Sequence, residues 1–163
     1  MLQVNVRVAR PSEYGKLGKL YVAWGYTAGI APADVVFVAE LDGATVGIVR
    51  RTRESSITML RGMYVDPRHR QQGVGTALLS AFERALPQED CYCIPFANLT
   101  AFYGRAGFAT VDEQSAPGFL IERLATYREE GHDVLVMRRG RGNTPDSRDP
   151  GFTPTSGPAS ASG

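Results

Sequence analysis

The sequence is poor in cysteine, histidine and tryptophan. Its 163 residues include two cysteines, two histidines and one tryptophan. Cys91 and Cys93, spaced i, i+2 on a strand-like segment, would have Cβ atoms too far apart for an unstrained disulfide. His69 and His132 are isolated in sequence, and a metal site needs more ligands than this. We therefore expect reduced thiols, no metal, and a cytoplasmic protein.

Charge of one sign and long apolar runs are also missing. Eighteen basic and 17 acidic residues give a formal net charge of +1, which offers no electrostatic reason to expect nucleic acid or an anionic membrane as a partner. No stretch approaches the roughly 18 apolar residues of a membrane helix. The first residues lack the charged start and apolar run of a signal peptide. Any anion that this protein binds must be held locally.

What remains is the composition of an ordinary globular domain, with 43% hydrophobic and 21% charged residues. The composition changes at residue 140, because residues 140–163 contain five Gly, four Pro, four Ser and three Thr but no Val, Ile, Leu or Met. Such a segment buries too little apolar surface to offset its ordering entropy. We predict a folded domain over residues 1–139 and a disordered tail over residues 140–163.

Hydrophobic periodicity predicts a mixed α/β domain. Asp42-Gly43 is a strong hairpin signal between two strand-like runs, and residues 73–86 have a helical apolar stripe. Strands are predicted over residues 3–9, 35–41, 45–53, 57–65, 91–94, 108–111 and 132–137, and helices from Pro11 onward and over residues 73–86, 99–105 and 117–131. The order β-α-β-β-β-α-β-α-β-α-β indicates a mixed sheet with helices on its faces. The helix over 117–131 is a packing helix, a cap over an acceptor site or a dimer contact.

The segment from Val65 to Thr76 predicts an anion site. A strand ends there, a short turn follows, and glycines open an amphipathic helix. The first N–H groups of a helix have no internal partner, and the helix dipole adds about half a positive charge. Gly73 and Gly75 would let a phosphate approach the backbone, with Arg68 and Arg70 at the rim. A capped helix with solvated arginines is the alternative.

Two common phosphate motifs do not fit this segment. The Walker pattern needs Gly-Lys-Ser/Thr, which is absent. The dinucleotide pattern needs a third glycine at the position where this sequence has Leu78. It also needs an acidic residue about twenty positions further on, and none stands there. A nucleotide-phosphate protein is therefore disfavoured.

The string Val-Asp-Pro-x-x-Arg-x-x-Gly-x-Gly from Val65 to Gly75 resembles the acyl-CoA-binding loop of the GNAT N-acetyltransferase superfamily. Residues 101–108, Ala-Phe-Tyr-Gly-Arg-Ala-Gly-Phe, resemble that family's Tyr-x-x-x-Gly-Phe signature, and the predicted element order also fits. The resemblance implies a mixed, mostly antiparallel sheet flanked by helices. It also implies acetyl-CoA as co-substrate and transfer to an amine of a small molecule or peptide by direct attack in a ternary complex. GNAT proteins are often dimers, so a homodimer stays open.

The resemblance also assigns roles to individual residues. It implies that the backbone at the end of the fourth strand pairs with pantetheine, at Met63, Tyr64 and Val65. It also implies that the next loop holds the pyrophosphate, with the residues Arg70, Gln71, Gln72, Gly73, Val74, Gly75 and Thr76. Tyr103 stands at the tyrosine that often protonates the departing thiolate; a core aromatic is the alternative. Asn98 precedes Tyr103 by five positions instead of the family's seven. It either reaches pantetheine from a shortened loop or caps the short helix.

No general base is predicted. An amine with a pKa near 10.4 needs about 4.6 kcal/mol to reach its neutral form at pH 7. Depending on the alignment, Cys91 or Cys93 stands where some members have a strand glutamate. Glu40 and Glu54 are the nearest acidic alternatives, each interpreted as a solvated or hairpin residue. Proton removal through water, or an acceptor of low pKa, would serve instead. A non-catalytic GNAT-like module that binds CoA or a protein is the alternative function.

Overall fold

The computed structural model describes residues 3–140, and the order of its main elements is the predicted one. The strands are β1 Asn5–Val8, β2 Val35–Leu41, β3 Ala44–Glu54, β4 Ile57–Val65, β5 Cys91–Cys93, β6 Ala109–Thr110 and β7 Met137–Arg139. The helices are α1 Tyr14–Ala23, α2 Val74–Arg84, α3 Thr100–Gly104 and α4 Gly118–Glu129. Apart from Gly140, the predicted tail lies outside the described residues.

The seven strands form one sheet in the order β1-β2-β3-β4-β5-β7-β6. The pair β4–β5 is parallel and every other neighbouring pair is antiparallel. Asp42 and Gly43 both have positive φ, 52° and 81°, as a two-residue hairpin turn requires. The predicted mixed, mostly antiparallel sheet is therefore confirmed.

Helices cover both faces of this sheet, because each has apolar residues at helical spacing. Phe82 of α2 and Phe102 of α3 belong to one core cluster with Leu60 of β4. Leu17 and Tyr21 of α1 pack on the opposite face against β2 and β3. Leu120 and Leu124 of α4 also pack on that face, against Met59 of β4 and Tyr92 of β5. None of the helices described over residues 3–140 has the length and apolar character needed to cross a bilayer.

The centre of the sheet is irregular in β4. The β3–β4 register shifts between Ile48 and Arg50, which makes a bulge at Gly62, where φ is +64°. The parallel pairing with β5 comprises Thr58–Cys91 and Met59–Tyr92. No further β4–β5 pair is described within residues 3–140, which leaves a gap in the pairing beside the second half of β4. We call this gap the splay.

The last strand is shorter than predicted. The alternation over residues 132–137 predicts a strand, but β7 begins only at Met137. Before it, Val134 forms an isolated bridge with Phe96, and Leu135 N–H donates to the Pro95 carbonyl at 3.2 Å. Proline has no N–H to return a hydrogen bond, so a regular ladder cannot form at that position.

Candidate functional site

The N-terminus of α2 forms an open cradle. Gly73 caps the helix in the left-handed conformation, with φ +83°, and Gln71 is also left-handed, with φ +62°. A Cβ at Gly73 would meet nothing within 4 Å. The first intrahelical bond runs from Ala77 N–H to the Gly73 carbonyl at 3.0 Å. The N–H groups of the preceding turn therefore have no helical partner, and the cradle fits a phosphate group.

A glycine on β3 determines where this cradle lies. A Cβ at Gly47 would stand 2.8 Å from Val74 Cγ1 and 2.9 Å from Leu78 Cδ1, so only a glycine lets α2 approach the sheet this closely. Gly47 pairs with Val65, the last residue of β4. The cradle is thereby held beside the end of β4.

The end of β4 supplies a backbone edge next to the cradle. Val65 and Tyr64 pair with β3 on one side. On the other side, the β4–β5 pairing described for residues 3–140 ends at Met59. The edge of Met63, Tyr64 and Val65 that faces the splay is thus available to an extended ligand. Arg70 Nε lies 3.3 Å from the Val65 carbonyl, at the junction of edge and cradle.

The arginines near the cradle differ in how they are partnered. Arg68 turns back to Asp66, with Nη2 to Oδ2 at 3.0 Å, and this hydrogen bond holds the pKa of Asp66 below its ordinary value. Asp66 therefore largely neutralises the charge of Arg68, whereas the sequence predicts this arginine as a charge at the rim of the anion site. The Arg70 guanidinium instead lies over the Tyr64 ring, 5.1 Å from the centroid. Arg70 is therefore the better cation for an anion in the cradle.

Sequence reasoning missed a further arginine at the cradle. Arg105 follows α3 and places Nη2 3.3 Å from Thr76 Oγ1, in the first turn of α2. Its guanidinium also lies over the Phe102 ring, 5.9 Å from the centroid. The sequence feature that could have indicated Arg105 is its position in the segment 101–108, two residues after Tyr103. Of the other residues predicted to hold the pyrophosphate, Gln71, Gln72 and Gly73 are exposed, whereas Val74 and Gly75 are buried in the first turn of α2.

Tyr103 and Asn98 lie in different environments. Tyr103 is fully buried on α3, with its ring edge-on to Phe102 at 4.9 Å and to Phe108 at 6.2 Å. Its ring is thus part of the core, in the cluster that includes Met63. Asn98 is exposed within a 3-10 turn, Ala97–Leu99. Neither this turn nor α3 has a side-chain cap, so the capping alternative for Asn98 is wrong.

Both cysteines are buried in the core, on the α2 side of β5. Burial raises the pKa of the Cys91 thiol to about 12 and raises the pKa of Cys93 well above its ordinary value. Neither thiol ionises at neutral pH, so neither serves as a base in place of a glutamate.

The two alternative acids are ion-paired rather than solvated. Glu40 Oε2 lies 3.2 Å from Arg7 Nη2. Glu54 contacts Arg123 at 2.6 Å and Arg61 at 3.2 Å. Burial acts to raise the pKa of Glu54, but its hydrogen bonds and the arginine charges outweigh burial and lower it. Glu54 is therefore ionised at neutral pH and firmly held, which makes it a weak base.

Comparison with known proteins gives a family match for part of this chain. Residues 32–110 match the acetyltransferase (GNAT) domain family. This range includes the β4 edge, the cradle, and both Asn98 and Tyr103. A search of the curated proteins finds no significant match. The family match and the fold together identify the chain as a member of the GNAT superfamily.

Solved structures share the fold at low sequence identity. An acetyltransferase of the GNAT family from Streptococcus pneumoniae is 18% identical, with a TM-score of 0.57, over 86% of this chain and 100% of that one. The PaiA N-acetyltransferase from Thermoplasma acidophilum, in complex with coenzyme A, is 13% identical, with a TM-score of 0.55, over 85% and 99%.

A larger protein also contains this fold. N-acetylglutamate synthase from Neisseria gonorrhoeae, complexed with coenzyme A and N-acetyl-glutamate, is 17% identical, with a TM-score of 0.60. The match covers 86% of this chain but only 36% of the synthase. This chain thus spans about a third of that relative's length.

Proposed function

We propose that this protein is an acyl-CoA-dependent N-acetyltransferase that moves an acetyl group from acetyl-CoA to an amine acceptor. The observation that carries the proposal is the open glycine cradle at the start of α2, held beside the unpaired edge of β4. An N-terminal helix turn suits a pyrophosphate, and a free strand edge suits the amides of pantetheine. Structures with the same fold contain coenzyme A, which supports the same ligand here.

Different residues bind different parts of acetyl-CoA. Backbone N–H groups of the cradle bind the pyrophosphate, with Arg70 and Arg105 adding charge at its rim. The β4 edge binds the pantetheine arm and directs it into the splay. The thioester supplies an electrophilic carbonyl. The acceptor amine attacks it directly while both substrates are bound.

Proton removal from the amine does not depend on a side chain of the two splayed strands. Neither β4 nor β5 contains an acidic residue, and the cysteines of β5 stay protonated. We infer that the amine loses its proton to water or binds as the neutral form. Tyr103 protonates the departing thiolate. Because an ordinary thiol has a pKa near 8.5, this assistance raises the rate without being indispensable.

A non-catalytic module that binds CoA is the second candidate. The absence of an acidic residue from β4 and β5 favours it, because chemistry on a protonated amine then has no dedicated base. Binding of CoA without acetyl transfer to any amine distinguishes it from the enzyme. The acceptor of the enzyme is a small amine or peptide, and we propose a cytoplasmic location with no nucleic-acid or membrane partner.

Calorimetric titration of acetyl-CoA into the full-length protein tests the proposal. The wild type should bind, and Gly73→Glu should not, because a carboxylate would occupy the cradle. Gly43→Glu is the matched control: it changes another left-handed glycine with open space around it, in the β2–β3 turn. A folded wild type that does not bind, or a Gly73→Glu variant that binds normally, would contradict the proposed site.

A further inference from the structure

Two arginines and a glutamate form a cluster that the cofactor site does not use. Arg61 on β4 and Arg123 on α4 both contact Glu54 at the end of β3, at 3.2 and 2.6 Å. Thr52 Oγ1 also donates to Glu54, at 2.8 Å. These contacts join two guanidinium groups to one carboxylate. The cluster therefore carries an excess of positive charge within a half-buried site.

The cluster lies on the face of the sheet opposite α2. Arg61 pairs with Arg50, and Tyr64 pairs with Ile48. Because Ile48 and Arg50 are two residues apart on β3, Arg61 and Tyr64 share one face and flank the bulge at Gly62. The phenol of Tyr127, on α4, lies 3.5 Å from Arg61 Nη2 on this same face.

This position matters because Arg61 is the second residue after the last β4–β5 pair, Met59–Tyr92. It thus lies where the splay opens. In the proposed function, pantetheine would enter the splay from the α2 side, where the cradle is. An acceptor amine must then approach the thioester from the other face, beside Arg61.

The arginines retain donors for a ligand. Arg61 Nε is buried without a hydrogen-bond partner among the described residues. Arg123 Nη1 faces the Met59 sulfur at 3.6 Å, which is a weak acceptor. Their side chains are 16% and 25% exposed, so a small molecule can reach the outer guanidinium nitrogens, whereas Arg61 Nε itself is enclosed by the protein. A carboxylate would satisfy these donors with charge-assisted hydrogen bonds.

We propose that Arg61 and Arg123 bind a carboxylate of the acceptor, so that the acceptor is an amino acid or a close analogue with its amine and carboxylate a few bonds apart. Glu54 positions the two guanidinium groups. This inference rests on the proposed acetyltransferase function and specifies the substrate of that same site.

The test compares free amino acids with their decarboxylated counterparts as acceptors. Suitable pairs are tyrosine and tyramine, histidine and histamine, tryptophan and tryptamine, and lysine and cadaverine. CoA release by the full-length protein is measured with a thiol reagent. We expect an amino acid to exceed its decarboxylated partner at least about 10-fold in kcat/KM, the effect of one charge-assisted hydrogen bond.

Variants then locate the effect. Arg61→Gln and Arg123→Gln should each lower kcat/KM for the amino acid about 10- to 100-fold, through KM, and leave the decarboxylated amine and acetyl-CoA binding unchanged. Arg84→Gln is the matched control, because Arg84 is exposed at the end of α2 on the other face. Using two variants guards against a folding defect in either one.

Three outcomes would overturn this assignment. The first is that decarboxylated amines serve as acceptors as well as amino acids do. The second is that both variants lose thermal stability but still prefer the amino acid over its decarboxylated partner as the wild type does. A third is that no amino acid is acetylated although acetyl-CoA binds, which leaves the cofactor proposal intact. Failure to bind acetyl-CoA would instead overturn both proposals.

Discussion

At the scale of single residues, the hydroxyl of Tyr103 is the group whose role is most directly testable. We expect Tyr103→Phe to lower kcat about 100-fold, the contribution of a positioned general acid, while the affinity for acetyl-CoA is unchanged. The ring keeps its edge-on contacts with Phe102 and Phe108, so the core stays filled. Stopped-flow measurement of thiol release and calorimetry separate the two effects.

Tyr92→Phe is the control for this substitution. Tyr92 is also buried, but it lies on β5 in the other core cluster, and its loss of a hydroxyl should leave turnover intact. Wild-type turnover by Tyr103→Phe would remove this phenol from the mechanism and leave it a packing residue.

At the scale of elements, the bulge in β4 depends on Gly62. A Cβ there would stand 2.6 Å from Tyr21 Oη and 3.0 Å from Arg50 Nε, in addition to the strain of φ +64°. Tyr21 Oη donates to the Gly62 carbonyl at 2.7 Å, so a methyl group at position 62 would also displace this hydrogen bond. We expect Gly62→Ala to lose about 1–3 kcal/mol more unfolding free energy than Gly43→Ala, the usual range for overpacking.

Gly43 provides the comparison because its φ is +81° but no atom lies within 4 Å of its Cβ position. Both variants carry the left-handed strain, and only Gly62→Ala adds a collision. Urea denaturation of the two proteins gives the difference directly. Equal losses would mean that Tyr21 and Arg50 move aside freely.

The elements also indicate which features a sequence can predict. Local patterns are sufficient for β4, whose observed bounds Ile57–Val65 are the predicted ones, and for the start of α2, predicted at Gly73 and observed at Val74. The start of β7 depends on Pro95 in a partner segment, which alternation cannot reveal. Arg123 and Glu54 are 69 positions apart, and Arg105 reaches Thr76 across 29. Only the folded chain brings these pairs together.

At the scale of the whole molecule, several carboxylates are ion-paired and should make stability depend on pH. The Arg7 hydrogen bond lowers the pKa of Glu13 to about 2, and the pKa values of Glu54 and Asp66 are also lowered. A folded-state pKa below the unfolded value stabilises the fold above the unfolded pKa of about 4. We expect the urea midpoint to fall as the pH is lowered from 6 to 3.

Glu13→Gln tests the sign of this effect. The variant lacks the ionised partner of Arg7, so it should be less stable than the wild type at pH 7. Its stability should also decline less on acidification. A urea midpoint for the wild type that is constant or rises between pH 6 and pH 3 would contradict the linkage.

The divergence of β4 from β5 has a consequence for association of the protein with itself. A strand with unpaired backbone groups at the rim of a sheet is a template for aggregation, and proteins usually shorten or shield such strands. Here the unpaired stretch of β4 is internal, between two halves of one sheet and beneath helices on both faces. A narrow, extended ligand can therefore reach this free strand edge, whereas the wider strand of a neighbouring chain cannot.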